Sequence, residues 1–168
     1  MYSLFCPCIK GAVLNTNHLR FFARIRTTKI LHQRTRLMLI EAPISLGELI
    51  DKITILEIKA INISDAGKLK NVTHELNVLN DKVASLLDAA GVAKLAPLKQ
   101  ALKDINQELW IIEDDIRDCE YVKDFSDKFI QLARAVYVTN DKRAKVKKDI
   151  NLAFGSELIE EKSYKDYQ

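Results

Sequence analysis

Charged and amide side chains interrupt the apolar stripes of two predicted helices. Glu57 falls inside the stripe of the first predicted helix when successive residues are placed about 100° apart. Asn140, Arg143 and Lys147 interrupt the stripe of the last predicted helix in the same way. Burying such groups without partners costs free energy, so they must be paired or hydrated.

A second polar group lies on the third predicted helix, beside its apolar seam. Arg117 follows Glu113 by four residues and precedes Glu120 by three. Residues at these spacings are neighbours on a helix surface. We therefore expect the guanidinium to reach both carboxylates.

Antiparallel stacking of the helices predicts two polar layers. Glu57 and Glu113 are expected at similar height in the first layer. The second layer is expected to hold Asn80, Asn106, Asn140 and Arg143, with Glu48, Asp51 or Asp104 as counter-charge for the arginine. These groups either fix the register of the helices or line a polar pocket for an anionic ligand. Under the pocket hypothesis the candidate ligand-binding residues are Glu57, Glu113, Arg117, Asn140 and Arg143.

Other kinds of site find little support in the sequence. The three histidines, His18, His32 and His74, form no Glu-x-x-His pair of the kind that binds metal in a helical bundle. Glycine-rich phosphate loops and common nucleophile motifs do not occur. The basic run 142–148 is flanked by aspartates, which favours a solvated face over a nucleic-acid site. We predict no metal, cofactor or nucleic-acid partner; whether the protein is an enzyme stays open.

Capping residues and apolar periodicity predict four helices. Residues 45–48 (SLGE) have the form of a capping box, and Asp65 can cap the second helix. Gly91 is expected to end the second helix, and Pro97 to lie in the first turn of the third. The expected spans are 46–61, 66–90, 97–119 and 125–154. Because short connections favour antiparallel neighbours, we predict an all-α antiparallel bundle of about four helices.

The formal net charge of +3 is the sum of a basic segment and an acidic segment within the 168 residues. Residues 1–37 carry seven Lys and Arg and no acidic residue, whereas the remainder holds 19 basic and 23 acidic residues. We predict a basic extension over 1–37, disordered or non-native, and a helical domain with a short polar tail over 38–168. The extension has three interpretations: an over-extended start with Met38 as the true one, an organelle transit peptide, or a basic arm for phosphate or a membrane surface. No run reaches the roughly 18 apolar residues that a membrane span needs.

Three runs resemble a bacterial family of small helical proteins whose function is not assigned. They are GELIDKITILEIK (47–59), TNDKRA (139–144) and GSELIEEKSY (155–164). The resemblance covers about 39–164. Members of that family usually begin close to the position of Met38, which favours the over-extended start. The resemblance implies a stand-alone helical fold and carries over no catalytic residue.

Two functions remain open. The sequence favours a non-catalytic helical protein that binds a protein partner or a second copy of itself, and its candidate exposed apolar residues are Ile55, Ile58, Trp110 and Ile111. The alternative is a small metabolic enzyme or ligand-binding protein with an anion-binding pocket inside the bundle. Three cysteines are too few for a disulfide framework, so we expect a cytoplasmic protein, or an organellar one if 1–37 is a transit peptide.

Overall fold

The structure is a computed structural model, and it describes residues 40–163 and residue 165. Four helices make up the fold: α1 (Leu46–Asn62), α2 (Ala66–Leu86), α3 (Ala89–Val122) and α4 (Asp127–Phe154). No strand occurs in the described ranges. The predicted all-α fold of four helices is therefore confirmed. The predicted basic extension over 1–37 lies outside the described residues.

The first two helices begin where the sequence predicts. Ser45 Oγ accepts a hydrogen bond from the Glu48 backbone N–H at 3.2 Å, and Asp65 Oδ1 accepts one from Lys68 N–H at 2.8 Å. Each contact satisfies an N–H group that the first turn of a helix leaves without an intrahelical partner. The starts of α1 and α2 are therefore determined by residues next to them in the chain.

The boundary between α2 and α3 differs from the prediction. Helix α2 ends at Leu86, not at Gly91. The Gly91 N–H lies in the first turn of α3 and donates to Asp88 Oδ1 at 2.8 Å. The prediction was wrong because Asp88 caps α3, so that the helix begins before Pro97, where the sequence predicted its first turn. Pro97 consequently lies within the helix. The far end of α4 is as predicted, with Gly155 in the left-handed region at φ 62°.

Helix α1 is the centre of the fold, since it packs against the other three helices, and α3 also packs along α4. Lys52 of α1 pairs with Glu75 of α2 at 2.7 Å, and Glu108 of α3 accepts a hydrogen bond from Thr139 of α4 at 3.2 Å. Both pairings are those expected when α1 with α2, and α3 with α4, form antiparallel hairpins. A buried apolar cluster lies between α1, α3 and α4 and consists of Leu49, Ile50, Ile53, Leu95, Leu102 and Ile150.

The start of α1 lies directly against the last turns of α4. Asn151 Oδ1 accepts a hydrogen bond from the Gly47 backbone N–H at 2.7 Å, and both residues are buried. A Cβ at position 47 would overlap the carbonyl oxygen of Lys147 and lie 2.9 Å from Asn151 Oδ1. Only glycine permits α1 to lie this close to α4. The close contact places Asp51, one turn further along α1, beside Arg143 and Lys147 of α4.

Among the described residues, no helix has the length and apolar character that crossing a membrane requires.

Candidate functional site

A buried carboxylate, Asp51 of α1, is the centre of a polar network where α1, α3 and α4 meet. Its Oδ1 accepts a hydrogen bond from Asn106 Nδ2 of α3 at 2.8 Å. The same Nδ2 donates to Thr54 Oγ1 at 2.9 Å, and the Thr54 hydroxyl donates to the Asp51 backbone carbonyl at 2.8 Å. All three side chains are buried, so this network joins α1 to α3 where water is excluded.

Two cations from α4 approach the other oxygen of Asp51. Arg143 Nε lies 3.7 Å and Lys147 Nζ 3.8 Å from Oδ2. Lys147 also pairs with Glu48 at 2.5 Å and Glu160 at 2.8 Å. Although burial lowers the pKa of Lys147, the hydrogen bonds to Glu160 and Glu48 outweigh it, so the pKa is raised. Lys147 is thus neutralised by three carboxylates, one of which it shares with Arg143.

A solvent-open cleft of about 440 Å³ lies beside this network, between α1, α3 and α4. Its apolar wall consists of Ile55, Ile58, Leu109 and Trp110. Its polar lining consists of Lys59, Asn106, Glu113, Asp114, Arg117, Asn140 and Arg143. The volume suits a small molecule, and ligand sites commonly combine such an apolar wall with a few converging polar groups.

Four of the five residues predicted for a ligand site line this cleft: Glu113, Arg117, Asn140 and Arg143. Glu57 does not. Its carboxylate instead pairs with Lys99 at 2.6 Å and Lys103 at 2.9 Å, in the first half of α3. The predicted layer of Glu57 with Glu113 is therefore wrong. The reason is the register between α1 and α3, which places Glu57 beside α3 residues more than two turns before Glu113.

Two other expected contacts also differ. Arg117 Nη1 donates to the Glu113 carboxylate at 2.9 Å and to its backbone carbonyl at 2.6 Å, whereas Glu120 pairs with Lys123 at 2.5 Å. The guanidinium therefore pairs with Glu113 alone. The predicted bridge from Arg117 to both Glu113 and Glu120 is wrong. Asn80 is exposed on α2 and does not join the second polar layer. Asp51, one of three proposed counter-charges, is the carboxylate beside Arg143.

The expected apolar surface on α1 is only partly present. Ile58 was predicted to be exposed, but only 1% of its surface is accessible because α1 packs against all three other helices. Ile55 and Trp110 are half-buried in the cleft wall, and Ile111 is exposed as predicted. Cys119 is buried, in agreement with its position on the apolar seam of α3.

Sequence reasoning missed three polar residues of this region. Thr54 is fully buried, and Lys59 and Asp114 line the cleft. The spacing of three between Asp51 and Thr54 signals a shared helix face. Recognising that this face is buried requires knowing that α3 covers it. In the part of the chain that the structure describes, no cluster of three or more His, Cys, Asp or Glu side chains is arranged to hold a metal ion.

Glu57 supports a prediction about pH. Burial alone raises the pKa of this carboxyl, but the hydrogen bonds and charges of Lys99 and Lys103 outweigh burial and lower it. A lowered folded-state pKa adds stability that is present above the unfolded value of about 4.3 and is lost as pH falls through the folded value. We expect Glu57→Gln to lower the free energy of unfolding by about 1 kcal/mol at pH 7.

This difference should shrink when urea unfolding is repeated at pH 3, because protonation of Glu57 removes the same contribution from the unaltered protein. Glu75→Gln, which removes the exposed pair with Lys52, is the control and should cost no more than about 0.5 kcal/mol. An equal cost of Glu57→Gln at both pH values would contradict the prediction.

Comparison with known proteins agrees with the resemblance seen in the sequence. Residues 40–167 match a family described as a family of unknown function, DUF6165. No curated protein and no solved structure matches the chain. Because the match covers more than half of the 168 residues, the chain belongs to the family of unknown function DUF6165.

Proposed function

We propose that the protein binds a small anionic molecule in the cleft between α1, α3 and α4, and that Arg143 contacts its anionic group. The observation that carries this proposal is how Arg143 is held. Its Nε faces Asp51 Oδ2 at 3.7 Å, which is too long for a hydrogen bond, and 30% of its side chain stays accessible beside the cleft. The two terminal nitrogens are left for a ligand, and their fork geometry suits a carboxylate or phosphate.

The charged side chains that line the cleft are three cations, Lys59, Arg117 and Arg143, and two carboxylates, Glu113 and Asp114, so the lining carries one net positive charge. Glu113 and Arg117 neutralise each other across 2.9 Å. Lys59 adds a positive charge to the lining, and Asp114 a negative one. Arg143 shares its buried counter-charge, Asp51, with Lys147. Arg143 thus has a counter-charge that is shared and lies beyond hydrogen-bond distance, which leaves its guanidinium able to bind an anion.

Trp110 supports a ligand that also has a carbon skeleton, and it provides a direct measurement. Its indole forms part of the apolar wall and is the single tryptophan of the chain. Its fluorescence therefore reports on the cleft without a label. The cytoplasmic location expected from the sequence stays a prediction.

The test is a titration of the full chain with succinate and, separately, with inorganic phosphate, followed by Trp110 fluorescence. We expect at least one of the two anions to bind, and Arg143→Met to weaken that binding by about tenfold or more, since a charge-assisted hydrogen bond is lost. Lys145→Met is the matched control, because it removes the same charge from the same helix at a side chain that is 77% exposed. Equal weakening by both variants would indicate a general charge effect and would contradict the proposal.

A specific observation also favours self-association, the function that the sequence suggests first. Large apolar side chains are exposed at the end of the α3–α4 hairpin, and we call them the tip patch: Tyr121, Val122, Phe125 and Ile130. The α3 segment 113–120 is acidic, with five carboxylates and one arginine, whereas the α4 segment 127–134 is weakly basic, with Lys128 and Arg134 against Asp127. This complementarity suits a second copy of the hairpin, with α3 of one chain against α4 of the other.

We expect Ile130→Lys to shift the protein from dimer to monomer in sedimentation equilibrium at micromolar concentration, because it adds an uncompensated charge to the tip patch. Val92→Lys is the control, since Val92 is 49% and Ile130 50% exposed but Val92 lies at the opposite end of α3. A monomeric parent protein, or a dimer that both variants leave intact, would overturn this second candidate.

A further inference from the structure

The cleft between α1, α3 and α4 is elongated along α3. The α3 residues that line it are Asn106, Leu109, Trp110, Glu113, Asp114 and Arg117. They recur over about three helical turns, and at about 1.5 Å of rise per residue the segment 106–117 spans about 16 Å of helix axis. A cleft of this shape suits an extended molecule.

Arg143 lies at the Asn106 end of the cleft. Asn106 Nδ2 donates to Asp51 Oδ1 at 2.8 Å, and Arg143 Nε lies 3.7 Å from Oδ2 of the same carboxylate. Thr139 pairs with Glu108 where α3 and α4 run antiparallel. Since Arg143 follows Thr139 by one turn, it lies beside α3 residues that precede Glu108. An anionic group bound to Arg143 thus occupies one end of the cleft, and the rest of the ligand extends along α3.

An apolar wall lies along the cleft beyond Arg143. Ile58 and Leu109 form the buried part of this wall, whereas Ile55 and Trp110 are half-buried and keep accessible surface. Trp110 lies one turn of α3, about 6 Å of helix axis, beyond the first lining residue of that helix. A carbon chain that extends from the anionic group therefore meets this wall, and each methylene that it buries favours binding.

The rest of the lining offers no net charge to a second anionic group. Besides Arg143, the charged lining residues are two cations, Lys59 and Arg117, and two carboxylates, Glu113 and Asp114. These four charges sum to zero, and Arg117 is already paired with Glu113 at 2.9 Å. A second anionic group would lose hydration here without gaining a net counter-charge.

We propose that the ligand of this cleft is an amphipathic monoanion, namely a carboxylate with an extended apolar body of several carbons. Arg143 binds the carboxylate, and Ile55 and Trp110 contact the apolar body. The proposal rests on the proposed function, because it names the class of anion that the same site takes.

The test compares three carboxylates in the Trp110 fluorescence titration of the full chain. Butyrate and succinate share a four-carbon skeleton and differ at the far carbon, which is a methyl group or a second carboxylate. We expect butyrate to bind about threefold or more tightly than succinate, because the second carboxylate loses hydration. Hexanoate should bind about fourfold or more tightly than butyrate, because each of its two further methylenes, half buried on the wall, gains about twofold.

Ile55→Gln tests the apolar wall separately from the anion site. It should reduce the preference for hexanoate over butyrate to less than about twofold, because an amide replaces apolar surface while Arg143 is kept. Ile111→Gln is the matched control and should leave the preference unchanged, since Ile111 is 54% exposed and is not part of the lining. If Ile55→Gln does not fold, the comparison of carboxylates on the unaltered protein decides alone.

Three results would overturn the amphipathic monoanion and leave the anion site intact. They are succinate binding as tightly as butyrate, hexanoate binding no more tightly than butyrate, and an equal effect of the two variants on the preference. Failure of all three carboxylates and of phosphate to bind, or binding that Arg143→Met does not weaken, would overturn both proposals.

Discussion

Replacing Gly47 with alanine is expected to lower the free energy of unfolding by about 3 kcal/mol or more. The added methyl would overlap the carbonyl oxygen of Lys147, which is helix backbone and cannot rotate away. Relief requires α1 to move off α4, and this movement also breaks the 2.7 Å hydrogen bond from Gly47 N–H to Asn151. Both losses act at a buried contact, so no water compensates for them.

Urea unfolding of the Gly47→Ala variant measures this effect. Gly67→Ala is the matched control, because Gly67 is an exposed glycine in the first turn of α2 and its nearest neighbour is the Asp65 side chain at 3.3 Å. We expect the control to lie within about 1 kcal/mol of the parent protein, on the stabilising side. Similar stability of the two variants would mean that α1 and α4 are not in such close contact.

Replacing Asp51 with alanine is expected to cost about 3–5 kcal/mol, the range found when one partner of a buried charged pair is removed. The variant leaves Asn106 Nδ2 without one of its acceptors and removes the buried counter-charge that Arg143 and Lys147 share. Lys147 keeps Glu48 and Glu160, so Arg143 is the more affected of the two cations.

Asp104→Ala removes a carboxylate from the exposed face of α3, where it accepts a hydrogen bond from Gln100 at 2.8 Å, and should cost no more than about 0.5 kcal/mol. Chemical denaturation of both variants at pH 7 provides the comparison. A cost below about 1 kcal/mol for Asp51→Ala would show that the network around Asp51 contributes little to the stability of the fold.

Local signals were enough to predict most of the helices. The side-chain caps at Ser45 and Asp65 and the left-handed Gly155 lie next to the ends they determine, so neighbouring residues reveal them. Asp88 is an equally local cap, but Gly91 and Pro97 suggested a later start of α3. Where a cap and a helix-breaking residue compete, the cap determined the boundary in this chain.

Contacts between distant residues explain what the sequence did not reveal. Gly47 and Asn151 are separated by 104 positions, and no periodicity within α1 or α4 shows that they touch. This contact and the Asp51–Asn106 hydrogen bond determine the register of α1. That register is the reason that Arg143 reaches the cleft while Glu57 pairs with lysines elsewhere. The interrupted apolar stripes therefore indicated which polar residues face the helix contacts. They did not indicate all of the residues that these side chains contact.

The proposed anion site is tested by titrating the full chain with succinate and with phosphate while the fluorescence of Trp110 is recorded. We expect saturable binding of at least one anion, weakened about tenfold or more by Arg143→Met and less than about twofold by Lys145→Met. An unchanged Trp110 signal with both anions, or binding that Arg143→Met does not weaken, would contradict the claim that this cleft is an anion site.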